Sequence, residues 1–144
     1  MLFRSEHGVR LSKEDQKILT NLPRNVFLTK LIPDDVYRSA LINADVYLSL
    51  GYKPAGVITI LEAMAAKCQI IAREDTAPSD LLINGKNAYL GKFSETLVSL
   101  VTDYLNNQLQ PTIETAYSEI SMHNLESFGK DLLSIYKQQI SLKK

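Results

Sequence analysis

Four short apolar runs punctuate the chain: Met1 to Arg4, Asn25 to Thr29, Val46 to Leu50 and Gln69 to Ala72. Each is too short for a helix and is bounded by turn formers or charges, which predicts strands. The last carries apolar residues on both faces, as strands of a parallel sheet do. Between and after the runs the spacing changes. Ile18, Leu19 and Leu22 follow Ser12 and Asp15, a capping-box variant, and Pro23 stops that helix. Pro33-Asp34-Asp35 opens the next helix with proline and acids in its first turn, and Val36, Tyr37, Ala40 and Leu41 form its inner face. Leu97, Val98, Leu100, Val101, Tyr104 and Leu105 mark a long amphipathic helix from Phe93-Ser94-Glu95 to Asn106-Asn107. Two more helices are predicted at Ile113 to Ile120 and Leu125 to Ile140. Strands alternating with helices predict right-handed βαβ units. The fold class is therefore α/β, a Rossmann-like three-layer α/β/α domain with a mostly parallel sheet. One domain over 1–144 is expected, since about 150 residues bury roughly two-thirds of their unfolded surface.

The stretch Gly51 to Ile71 stands out within this pattern. Pro54 keeps the loop Gly51-Tyr52-Lys53-Pro54-Ala55-Gly56 out of any helix interior. From Val57 to Ala66 the residues turn helix-forming, with Leu61, Glu62, Ala63, Met64, Ala65 and Ala66. No Ser, Thr, Asp or Asn stands before that helix to cap it. Its first amides, at Gly56, Val57 and Ile58, lack an obvious local partner, and the helix dipole adds positive potential there. Such a tip is suited to an anion, phosphate above all. Lys53 stands in the adjoining loop as a neutralising cation or as a solvated lysine. Glu62 is the only charge in an otherwise apolar helix, one turn in from the tip. It either meets a ligand held there or pairs with Lys53, Lys67 or Arg73. The loop Arg73 to Pro78 also follows the carboxyl end of a strand, where open α/β sheets bind ligands, and it carries Thr76.

Composition narrows the partners. Lysine plus arginine balance aspartate plus glutamate at 16 each, which argues against a nucleic-acid partner. No apolar run approaches the roughly 18 residues of a membrane span, and no signal peptide opens the chain. The single cysteine, Cys68, fits a reducing compartment and a buried, inert thiol. His7 and His123 have no acid or cysteine at catalytic or metal-ligand spacing, so no metal is expected. Gly-x-Gly-x-x-Gly is absent, which argues against a dinucleotide module.

Gly56 to Ile71 resembles the signature of the C-terminal domain of group 1 (family 4) retaining glycosyltransferases of the GT-B fold. That signature runs glutamate, seven residues, Glu-Ala-Met-Ala, a small residue and a strand; Glu62-Ala63-Met64-Ala65 matches its second half. Pro54 stands where the first glutamate falls, and Gly56 lies one position early. The resemblance extends to Ala44-Asp45-Val46-Tyr47-Leu48 and to Ala77–Leu90, where Asp80 replaces a glutamate and Ala88 a glycine. It implies a nucleotide-sugar donor-binding domain, with the diphosphate at the Gly56, Val57 and Ile58 amides and Glu62 on the ribose hydroxyls. Lys53 and Thr76 are further donor-binding candidates. The resemblance implies no cofactor beyond the donor substrate itself and a cytoplasmic place in polysaccharide biosynthesis.

In that family the domain opens with a strand and helix that supply an arginine and a lysine to the diphosphate, and this chain starts after both. The family also has an N-terminal Rossmann domain for the acceptor. The resemblance therefore implies a chain incomplete for glycosyl transfer on its own, needing that domain or a partner glycosyltransferase chain. A homodimer formed by edge pairing is a further expectation. The alternative is a non-catalytic accessory protein that pairs with an active glycosyltransferase.

Overall fold

The structure is a computed structural model that describes residues 2–4, 17, 21–29, 32–51, 57–121, 126, 130, 133 and 134. It divides into two compact units, Met1–Ser39 and Ala40–Lys144.

In the first unit β1 (Leu2–Arg4) runs parallel to β2 (Phe27–Thr29), with Phe3 opposite Leu28. Both follow the apolar runs. The apolar run Asn25 to Thr29 reads as a buried strand, yet Phe27 is 61% exposed. The helix expected from Ser12 to Leu22 lies almost wholly outside the described residues. Helix α1 (Asp34–Ile42), whose last three residues belong to the second unit, starts after Pro33, whose carbonyl accepts the Tyr37 amide at 3.0 Å. Its inner side carries Leu41, buried, with Tyr37 and Ala40 half-buried. Val36, expected on that side, is half exposed: it lies too far round the helix from Leu41.

The second unit holds β3 (Val46–Ser49), α2 (Val57–Ala65), β4 (Gln69–Arg73), β5 (Tyr89–Gly91), α3 (Ser94–Leu105) and α4 (Ile113–Ser121). Its sheet has the order β3-β4-β5, with every pair parallel. Tyr47 lies opposite Ile70 and Ser49 opposite Ala72; Ile71 lies opposite Tyr89 and Arg73 opposite Gly91. Cross-strand partners share a face and neighbours along a strand do not. One face therefore carries Tyr47, Ile70 and Ala72. Helix α2 covers it, since the Tyr47 hydroxyl donates to Thr59 Oγ1 at 2.9 Å. The other face carries Gln69, Ile71, Arg73, Tyr89 and Gly91. Helix α3 covers that one so closely that a Cβ on Gly91 would stand 2.9 Å from Leu97 Cδ2. The result is helix, sheet, helix, the three layers predicted. Strand β5 was not among the predicted strands, because three residues ending in glycine carry too little apolar signal.

Helix ends use main-chain bonds. The Cys68 amide donates to Ala63 at 2.9 Å and the Lys67 amide to Met64 at 3.1 Å, a Schellman ending for α2. Lys67 takes the left-handed conformation this requires, at φ 61°. Its ammonium is held over the Tyr117 ring at 4.6 Å and pairs with Glu114 at 3.2 Å, which ties α2 to α4. Helix α3 ends the same way, with Asn107 at φ 58°. Its inner side is Leu97, with Leu100, Val101 and Tyr104 half-buried; Val98 and Leu105 face outward, against expectation. The helix expected at Leu125 to Ile140 lies mostly outside the described residues.

The buried Gln69 closes the unit from below. Its Nε2 donates to Thr112 Oγ1 at 2.8 Å and to the Ile70 carbonyl at 3.1 Å, and its Oε1 accepts the Thr112 amide at 3.0 Å. This fixes where α4 begins. Thr112→Val should cost about 1–3 kcal/mol, since it leaves a buried amide donor unpaired. Gly91→Ala should cost about 1–3 kcal/mol through overpacking against Leu97. Thermal melts read both.

Candidate functional site

The carboxyl ends of β3 and β4 lead into residues 51–56 and 74–79, the edge where open α/β sheets bind ligands. Of the predicted site residues, Lys53 and Gly56 lie outside the described residues. Val57, Ile58 and Glu62 stand together on α2, and Thr76 lies half-buried in the connection after β4.

Helix α2 is two-faced. Ile60, Ala63 and Met64 are buried, whereas Ile58, Glu62 and Ala65, spaced four and three apart, are exposed. Ile58 is 71% exposed and Val57 45%. Glu62 is thus not the lone charge in a buried helix that composition implied: it belongs to an open stripe beginning at the helix tip. Two of its expected ion-pair partners are engaged elsewhere, Lys67 with Glu114 and Arg73 with Asp75. Among the described residues none forms an ion pair with Glu62. Among them, too, none accepts a hydrogen bond from the Val57 or Ile58 amide. This stripe offers donors at its tip and an acceptor one turn on, the pattern needed for a phosphate followed by a polyhydroxyl group.

The connection after β4 is held from several sides. Arg73 donates to Asp75 from Nε at 3.0 Å and from Nη2 at 2.6 Å. The bonds from Arg73 hold the Asp75 carboxyl below the ordinary carboxylate range. The Glu74 amide donates to Gly91 at 3.1 Å and the Ala77 amide to Arg73 at 2.9 Å. Further on, Leu81 and Leu82 both donate to the Pro78 carbonyl, at 3.0 and 2.8 Å. Asn-Gly is a strong turn signal in a sequence, and at the far end Gly85, at φ 74°, makes the turn at Asn84-Gly85. The fully buried Asn87 was not foreseen as a structural residue; an asparagine beside Asn-Gly reads as one more turn former.

Other candidates resolve plainly. Cys68 is buried, and its thiol donates to the Leu41 carbonyl at 3.2 Å. Burial raises its pKa, with the Asp45 charge adding to the effect, so the thiol is held protonated and unreactive. A surface cavity of about 440 Å³ is lined by Asp45, Tyr104, Leu105, Asn107, Leu109, Gln110 and Pro111. It lies by the amino end of β3, away from the strand ends where parallel sheets bind ligands. Among the described residues no cluster of His, Cys, Asp or Glu is suited to a metal, and no helix is long and apolar enough to cross a membrane.

These features define a class: a three-layer α/β domain with a parallel sheet and a helix that starts at its carboxyl edge. Residues 9–119 match the family described as Glycosyl transferases group 1, and the chain belongs to that family. In structure it is similar to the C-terminal domain of a glycosyl transferase group 1 family protein (LpcC) from Francisella tularensis, a GT-B Rossmann-like half. The TM-score is 0.58 at 21% identity, over 74% of this chain and 58% of that one. This chain thus spans little more than half the length of that domain. No curated protein matches it.

The Arg73–Asp75 pair gives a pH prediction. Because the folded pKa of Asp75 is lowered, its contribution is present above the ordinary value of 3.8 and is lost as pH falls through the folded value. In Arg73→Ala the Asp75 carboxyl should titrate at higher pH than in the native protein, read by NMR of the side-chain carbonyl. An unchanged titration would show that the arginine is not its partner in solution.

Proposed function

We propose that the chain is the nucleotide-sugar donor-binding domain of a retaining glycosyltransferase. The single observation that carries this reading is the open stripe of α2, with Val57 and Ile58 at the tip and Glu62 exposed one turn on. A donor diphosphate at the tip accepts hydrogen bonds from main-chain amides and meets the positive end of the dipole. As the bond from sugar to diphosphate breaks, the leaving group gains negative charge. Fixed amides stabilise that charge without reorganising. Glu62, an acceptor when ionised, takes hydrogen bonds from the ribose hydroxyls. Gly56 and Lys53, next to the tip in sequence, and Thr76, after β4, complete the proposed contacts. The donor is the substrate, and the scheme uses no further cofactor.

The acceptor site and additional cations for the diphosphate come, in this reading, from an N-terminal Rossmann domain or a partner chain. The reaction belongs to cytoplasmic polysaccharide biosynthesis. A second reading is favoured by one observation, Pro54 in place of the signature's first glutamate. A chain lacking that carboxylate serves as a non-catalytic partner of an active glycosyltransferase.

Calorimetric titration of the 144-residue chain with uridine and guanosine diphosphates tests the donor reading. Glu62→Ala should weaken binding by about 10- to 100-fold, the worth of hydrogen bonds to a charged group. Equal binding by the two proteins removes Glu62 from the site. Absence of binding to the native chain leaves the accessory reading.

A further inference from the structure

The connection between β4 and β5 contains no helix, although parallel strands are usually joined by one. Its shape therefore depends on individual hydrogen bonds. Three converge on the side chain of Asn87, a polar group with no exposed surface. Its Oδ1 accepts the Ile83 amide at 2.8 Å, and its Nδ2 donates to the Leu81 carbonyl at 2.9 Å and to Glu119 Oε2. Both amide protons are thereby used, one on the connection itself and one on helix α4. Glu119 in turn pairs with Lys86 at 2.7 Å. Leu81 and Leu82 both donate to Pro78, so the anchored segment is one turn from Pro78. The Ala77 amide is fixed to Arg73 at the other end. Thr76 stands between these two anchors.

We propose that Asn87, with Glu119 of α4, is a positioning residue for the donor site: it sets where Thr76 and its neighbours stand at the carboxyl edge of the sheet. The assignment rests on the donor reading above. Asn87 touches no donor; it acts through the Leu81 carbonyl and the turn that leads back to Pro78. An amide is required there because the site needs an acceptor for Ile83 and donors for Leu81 and Glu119 on one planar group. A carboxylate supplies the first and opposes the other two.

The test uses the 144-residue chain, uridine and guanosine diphosphates, and three proteins. Asn87→Asp should weaken nucleotide binding about tenfold, measured well below the melting temperature, and should shift the Thr76 and Ala77 amide resonances without ligand. Adding Glu119→Gln returns a donor to face the new carboxylate. The double variant should regain at least about threefold of the lost affinity, coupling that independent sites do not show. A role in stability alone predicts lower melting temperatures with unchanged affinity and unshifted Thr76, and that result overturns the proposal. Absence of rescue removes Glu119 from it. Failure of the native chain to bind either nucleotide overturns the donor reading itself, and this assignment with it.

Discussion

Strand β4 has no side open to solvent. Gln69, Ile70, Ile71 and Ala72 are all buried, with β3 and β5 on the flanks and helices on both faces. A strand so placed must be apolar nearly throughout, and any polar group on it must find a partner within the protein. Gln69 is that polar group. Its amide satisfies Thr112 and is satisfied by it, so the chain returning from α3 has to begin α4 at this point. From there α4 lies against α2. Lys67 and Glu119 carry the same constraint outward, one to the end of α2 and the other to the connection before β5. The C-terminal end of α2 and the connection before β5 are thus both tied to α4, apart from the tip of α2.

That separation suits a binding edge. In the donor reading proposed above, the ligand meets main-chain amides, one carboxylate and a short connection, none of which contributes much to the core. Ile60, Ala63 and Met64 anchor α2 by one side, which leaves Ile58 and Glu62 free to face outward. The same helix therefore combines a rigid seat with an open stripe. The strand-to-helix pin from Tyr47 to Thr59 fixes its first turn relative to the sheet.

Much of this fold was legible in the residues. The Gly-poor, apolar helix after a proline loop announced α2, and its Glu-Ala-Met-Ala run pointed to the glycosyltransferase family that the chain proved to belong to. Helix stops at Asn106-Asn107 and the turn at Asn84-Gly85 followed from the readiness of Asn and Gly to adopt left-handed backbone. Other features were not legible. Val36, Val98 and Leu105 are apolar and lie near the right spacing, yet they point outward, because a helix buries only the arc that meets a neighbour. Strand β5 escaped notice because its order comes from pairing with β4, not from its own composition.

The sequence by itself determined the class of the domain, the order of most of its described elements and the place of the helix that follows the proline loop. Local spacing and propensity act over a few residues and are written in the chain directly. The tertiary structure decided which side of α2 is open, where Lys67 and Arg73 spend their charge, and that Asn87 is a buried anchor. Those outcomes depend on contacts between residues distant in sequence, such as Asn87 with Glu119 and Gln69 with Thr112, which no local pattern encodes.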